Sequence, residues 1–308
     1  MTISSKLEQE LARRIEVINS YYNLDDLLER KTDSEAIARY YRKSDFFYNV
    51  LNSKGGGNIH FGLSDTDKFY KSDLKKQAQF IDEFIEEDTK KILEVGAGKV
   101  ANTKWLAKKH PEISFTALDL PHRNFKRNRV PRNVKLCEGS YNDLSRFKEN
   151  SFDIIFGVET VCYSEDKEQT IKEISRILKP SGKLILFDIY EPKPHSEMTE
   201  FEKHVSMITT TAMCLPPNGH YIGDYEKYML KYGFKTVEIT NLTSEAMPSI
   251  KRIARLSNYY FNHPRFLKTL RATIDKDATM NSIAGWLMPL TFDGENIHEY
   301  GRIVATKK

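Results

Sequence analysis

The stretch Lys91-Ile92-Leu93-Glu94-Val95-Gly96-Ala97-Gly98-Lys99-Val100 decides how this chain is built. An apolar, β-prone run from Ile92 to Val95 carries one acid, Glu94, and stops on two glycines. The residues that follow, Asn102 to Lys109, can form a helix. A strand that ends on glycines and turns into a helix brings bare backbone beside the unsatisfied N–H groups of a helix start. Such a turn binds nucleotide-like cofactors, so the identity of the cofactor decides the function.

Downstream of the turn, strand and helix signals alternate. Ser114–Leu118, Val134–Cys137, Phe152–Val158 and Lys183–Phe187 read as strands, and Gln169–Leu178 as an amphipathic helix ahead of the Lys179-Pro180-Ser181-Gly182 turn. Thr236–Ile239 and Gly301–Thr306 add two more. Upstream, residues 6–50 read as tyrosine-rich helices, the glycines at 55–57 break the pattern, and a helix over 66–87 leads into the first strand. Residues 191–232 return to helix and loop, and 248–275 read as helix. The alternation predicts a doubly wound, parallel α/β sheet. The expected division is a helical arm over 1–87, a cofactor-binding core over 88–190, a helical cap with the sixth strand over 191–298, and a closing strand over 299–308.

The bulk numbers narrow the setting. Across 308 residues, 40% hydrophobic content supports a real core, and a formal charge of +4 is too mild to argue for nucleic acid. No apolar run is long enough for a membrane span, and the N-terminus carries no secretory signal. Cys137, Cys162 and Cys214 lack metal or disulfide spacing, which fits a reduced cytoplasmic setting with no metal.

By itself the glycine turn reads two ways. Gly96-x-Gly98-x-x-Ala101 satisfies a dinucleotide fingerprint, and Asp119 lies about 20 residues on, placed for ribose hydroxyls. The neighbouring motifs separate the readings. Ile92–Gly98 with Glu94 ahead of the glycines, Asp119, Phe152–Glu159 and Glu173–Leu184 resemble, in order and spacing, the motifs of class I S-adenosylmethionine-dependent methyltransferases. The arm motifs, Tyr40–Tyr48 and His60-Phe61-Gly62, resemble the segment ahead of the core in the sterol, cyclopropane-fatty-acid and natural-product groups. The resemblance implies a seven-stranded Rossmann-like sheet with a helical arm and cap, S-adenosylmethionine as cofactor, and a small, partly apolar methyl acceptor. It leaves room for a homodimer.

The same resemblance implies roles. Glu94 would take the cofactor's ammonium, Gly96 and Gly98 would allow close approach, and Asp119 would hold the ribose diol with Leu120 flanking the adenine. Ser140 and Tyr141 would lie at the adenine amine, Gly157 and Val158 along the methionine portion, and Tyr41 over the sulfonium as a cation–π partner. Glu159 is the leading catalytic candidate, with Tyr163 and His60 in support, and Tyr190 and His195 as further candidates. Three departures stand out. Val100 occupies a usual third glycine, Ser140 replaces a usual acid, and residues 122–132 form a short basic loop where a second helix is expected. An NAD(P)-dependent oxidoreductase and a catalytically inactive methyltransferase-like binding protein remain as alternatives.

Overall fold

The computed structural model describes residues 3–47, 57–121, 125, 128–273, 276–293 and 297–308. At its centre β1 (Lys91–Val95) pairs in parallel with β2 (Ser114–Asp119) on one side and β4 (Phe152–Val158) on the other. β3 (Val134–Glu138) continues outward from β2, and β5 (Leu178–Tyr190) lies beyond β4. β7 (Glu299–Lys307) runs antiparallel between β5 and β6 (Phe234–Asn241). The order is β3-β2-β1-β4-β5-β7-β6. A dinucleotide fold continues in parallel as 3-2-1-4-5-6, so the antiparallel β7 beside β5 is the topological mark that separates the two readings of the glycine turn.

The strand direction of winding reverses between β1 and β4, which opens a crevice at the carboxyl ends of the parallel strands. Helices cover both faces. On one, Leu93 and Val95 pack with Ile171, Ile174 and Ile177 of α6 (Lys167–Ile177) and with Tyr225 and Met229 of α8 (Ile222–Lys231). On the other, Ile92 packs with Ala78 and Ile81 of α4 (Lys76–Asp82) and with Leu106 of α5 (Ala101–Lys109). The pleat alternates, so Glu94 shares the α5 face with Ile92. Each fully buried isoleucine here contributes roughly 1.5–3 kcal/mol.

A helical layer closes the crevice. It combines α1 (Ser5–Asn19), α2 (Leu24–Leu28) and α3 (Ser34–Phe47) with α7 (Glu200–Ala212), α9 (Thr243–Asn262), α10 (Pro264–Thr273) and α11 (Lys276–Thr291). α11 is the hub, packing against α9, α7, α3 and α1. Trp286 stacks on Phe261 with ring centroids 4.3 Å apart, while the Arg14 guanidinium covers its ring and donates to its backbone carbonyl. Among the described residues no helix is long and apolar enough to cross a membrane.

Two expected helices differ. Instead of one helix over 66–87, a 3-10 turn at Lys71–Lys75 precedes the short α4, because Asp73 accepts from the Tyr70 N–H at 2.7 Å and from the Ser64 hydroxyl and so rewards a turn. The helix expected over 248–275 is two helices broken at His263, since the residue before Pro264 is forced out of the helical region. Of the basic loop, residues 122–124, 126 and 127 lie outside the described residues, as do Tyr48 and the glycines at 55 and 56.

Candidate active site

The glycine turn is a run of alternating left-handed residues: Gly96 (φ 64°), Gly98 (φ 52°) and Val100 (φ 62°). The two glycines serve different purposes. A Cβ on Gly96 would lie 1.7 Å from Thr160 Oγ1, so its missing side chain makes room for protein. A Cβ on Gly98 would meet only Ile59, at 3.3 Å, so this glycine keeps the wall of the crevice open. Val100 holds the geometry of the absent third glycine at a cost on the order of 1–3 kcal/mol, with its side chain fully buried.

Glu94 and Asp119 stand at the ends of β1 and β2. Glu94 is turned toward the start of α5, where it accepts from the Thr103 N–H at 3.2 Å, from the Thr103 hydroxyl and from Asn102 Nδ2 at 3.4 Å. Burial pushes its pKa up to about 7, against the pull of these donors. Asp119, expected to hold the ribose diol, accepts from the backbone N–H groups of Gly98 and, at 2.7 Å, Leu120, and so braces the glycine turn.

The loop after β4 carries the leading catalytic candidate. Glu159 has φ 49°, its backbone N–H donates to Phe187 O at 2.7 Å, and its carboxylate accepts the Phe61 N–H at 2.7 Å. Burial raises its pKa to about 8, helped by the charge of Asp188 and opposed by the Phe61 N–H and the Tyr300 hydroxyl. Gln77 Nε2 donates to Phe61 O at 2.8 Å and to the Tyr300 hydroxyl at 3.3 Å, tying the arm loop to this carboxylate. Asp188, at the end of β5, accepts from the Thr160 and Cys162 N–H groups at 3.3 and 2.9 Å and so fixes the course of the loop.

These elements surround one cavity of about 800 Å³. It is lined by Tyr41, His60, Glu94, Gly96, Gly98, Asp119, Leu120, Ser140, Tyr141, Val158, Glu159 and Tyr163. Gly157 is not in the lining. It sits within the sheet opposite Val95, where a Cβ would press on Thr160 at 2.8 Å, so its smallness serves packing. His60 is a tether: Asn58 Nδ2 donates to Leu74 O at 3.0 Å, which sets the amide and leaves His60 Nε2, 3.1 Å away, to accept. Its Nδ1–H then donates to Phe61 O at 2.8 Å, and burial lowers its pKa. Tyr41 packs against Tyr163, centroids 5.6 Å apart, as an aromatic edge from the arm. Ser140 accepts the Asn142 N–H at 3.1 Å, and Tyr141 donates to Thr160 O at 2.8 Å.

Tyr190 and His195 lie elsewhere. Tyr190 is buried against Tyr225, and His195 pairs with Glu191 at 2.9 Å. Of the apolar cap residues, Met213, Leu215 and Tyr260 reach the cavity, whereas Phe261 and Trp286 form core. The motifs gave no role to Thr160 or Asn102, or to Lys251, Arg252, Ile253, Arg255 and Leu256 in the wall supplied by α9. Only the position of Thr160, just past the β4 motif, offered a signal.

The residues fit a sulfonium nucleoside cofactor. Asn102 Oδ1 is buried without a protein partner, Gly98 leaves open space, and two carboxylates stand at adjacent strand ends. Residues 93–186 match the family described as "Methyltransferase domain". The glycine/sarcosine/dimethylglycine N-methyltransferase of Actinopolyspora halophila is 26% identical over 245 residues, which is 74% of this chain and 40% of that protein. Methyltransferase GfsG of Streptomyces halstedii is 23% identical over 70% of this chain and 78% of its own length. The chain therefore spans less than half of the first relative and most of the second. In fold it is similar to a putative sarcosine dimethylglycine methyltransferase from Galdieria sulphuraria, with a TM-score of 0.67 at 18% identity over 86% of this chain and 98% of that one. It is equally similar to the [4+2]-cyclase SpnF, at 0.67 and 15% over 89% and 96%. Sheet order, motifs and relatives agree against the oxidoreductase alternative: residues 93–186 form a methyltransferase domain, and the chain around it is similar in sequence and fold to S-adenosylmethionine-dependent methyltransferases.

Proposed function

We propose that this chain transfers the methyl group of S-adenosylmethionine to a small, partly apolar molecule held in the same cavity. The observation that carries the reading is continuity. One cavity joins the glycine turn and Asp119 to Glu159 and then to an apolar wall from Ile253, Leu256 and Met288. The cofactor, when bound, supplies an electrophilic methyl carbon, so the protein's work is positioning and, where the acceptor carries a proton, its removal.

In this reading Asp119 accepts from ribose hydroxyls with its remaining lone pairs, and Asn102 Oδ1 and Glu94 face the amino-acid end. Ser140, Tyr141 and Leu120 border the adenine, Val158 borders the methionine chain, and Tyr41 with Tyr163 forms an aromatic edge toward the positive centre. Burial holds the pKa of Glu159 near 8, which favours its neutral form. A positive charge beside it lowers that pKa and yields a carboxylate that accepts a proton or steadies a cation. The arm over 1–87 and the cap over 191–298 enclose the acceptor, while 88–190 with the closing strand 299–308 form the core. The setting is cytoplasmic, and the partner is a small molecule rather than nucleic acid.

Calorimetric titration with S-adenosylmethionine and S-adenosylhomocysteine tests the reading. Binding of both, followed by methyl transfer to a compound from a small-molecule panel, supports it. Absence of binding at micromolar protein overturns it, and binding without any turnover leaves the inactive relative as the better account.

A further inference from the structure

The cavity is electrically divided. Its carboxylates Glu94, Asp119 and Glu159 stand at the sheet, with Lys99 of the glycine turn and exposed Glu165 beside them in the lining. By contrast, α9 contributes three cations, half-buried Arg252 and exposed Lys251 and Arg255, next to Lys68 and Asp67 of the arm loop. Ile253, Leu256 and Met288 add apolar surface to the same lining. Arg252 is half-buried, and its guanidinium sits 4.3 Å over the Phe69 ring, which fixes its plane between α9 and the arm loop. Lys251 and Arg255 are exposed and make no ion pair or hydrogen bond with any described residue.

We propose that the methyl acceptor is an anionic amphiphile whose carboxylate or phosphate seats against Arg252, between Lys251 and Arg255, with its apolar body running inward toward Glu159. A guanidinium held flat on an aromatic ring offers a fixed fork of donors, the geometry suited to an oxyanion. The two exposed cations add a field that draws an anion toward α9 and weakens with salt. The acidic sheet end repels the same group, so the charge division sets the direction in which the molecule enters. This rests on the methyl-transfer reading only in placing the reacting atom beside Glu159.

The experiment titrates octyl phosphate, octanoate and octanol into the protein, with and without S-adenosylhomocysteine, by calorimetry at two salt concentrations. At low salt the better of the two anions is expected to bind at least about ten-fold tighter than octanol. R252Q and, separately, K251Q/R255Q should each reduce that preference several-fold while leaving octanol binding unchanged. Phosphate and carboxylate acceptors are told apart by which anion binds tighter. The inference is overturned if neither anion binds tighter than octanol, non-binding of all three included, or if the preference survives in both variants. Failure of S-adenosylhomocysteine to bind strikes the methyl-transfer reading instead, and the titrations without it still decide the anion site.

Discussion

Glu159 and Phe61 lie far apart in the chain, yet the Glu159 carboxylate accepts the Phe61 backbone N–H at 2.7 Å. Through this bond the loop that follows the arm is fastened to the acid at the cavity's centre, and Gln77 and Tyr300 hold both partners. Glu159→Gln keeps an oxygen acceptor for the N–H but cannot take a proton. We expect methyl transfer to fall about 10²-fold or more, within the range for a lost acid–base group, while S-adenosylhomocysteine affinity changes little. Unchanged turnover would remove Glu159 from the chemistry.

Stability should decline on both sides of a pH optimum. Glu94 and Glu159 have folded-state pKa values of about 7 and 8, raised from 4.5 chiefly by burial. Their contribution is complete below pH 4.5 and is lost as pH rises through 7 and 8. His220 and His298 move oppositely, since burial lowers them from 6.5 to about 3 and about 4. Their contribution is complete above pH 6.5 and is lost as pH falls toward 4 and 3, and the two effects compete between 4.5 and 6.5. Thermal melts across pH 4 to 9 should show E159Q with a shallower alkaline limb than the parent and H298Q with a shallower acid limb. Parallel profiles would contradict the assignment.

Val100 is buried, yet it holds a left-handed conformation that β-branched residues resist. V100A loses roughly 1–2 kcal/mol of burial and keeps much of the backbone strain, whereas V100G loses slightly more burial and sheds the strain. Urea denaturation is therefore expected to find V100G at least as stable as V100A. A V100G protein about 1 kcal/mol weaker than V100A would mean that the residue is not held at positive φ.

Gly96 and Thr160 should behave as a coupled pair. G96A places a methyl where Thr160 Oγ1 stands and adds positive-φ strain, which together cost on the order of 2–4 kcal/mol. T160G clears both the hydroxyl and the Cβ, so the double variant should recover about half of that loss relative to the sum of the single changes. A double-mutant cycle in denaturant measures the coupling, and strictly additive energies would exclude the contact.

Much of the core was legible because its signals are local. Apolar strand runs, a glycine turn and an amphipathic α6 report on neighbours within one or two turns of chain, and they located the turn, Asp119 and Glu159. Burial by alternation even explains why Glu94 meets α5. Long-range packing was not legible. The resemblance implied ligand contacts at Gly96 and Gly157; Thr160 occupies the space a side chain would take at both, and only Gly96 lines the cavity. It offered Tyr190 and His195 as helpers, and the fold carried them to other surroundings.

By itself, then, the sequence determined the alternating strands and helices of the parallel part of the sheet, the location of the glycine turn and the likeness to methyltransferases, because each follows from residues close in the chain or from motif order. The expected all-parallel sheet is corrected by the antiparallel β7 between β5 and β6. Only the tertiary structure decided what faces the cavity. It attached Phe61 to Glu159, turned His60 into a tether and brought Lys251, Arg252 and Arg255 into the cavity's lining. Those positions depend on how the helical layer settles over the sheet. That packing is set by the summed burial of many distant side chains, which no short motif records.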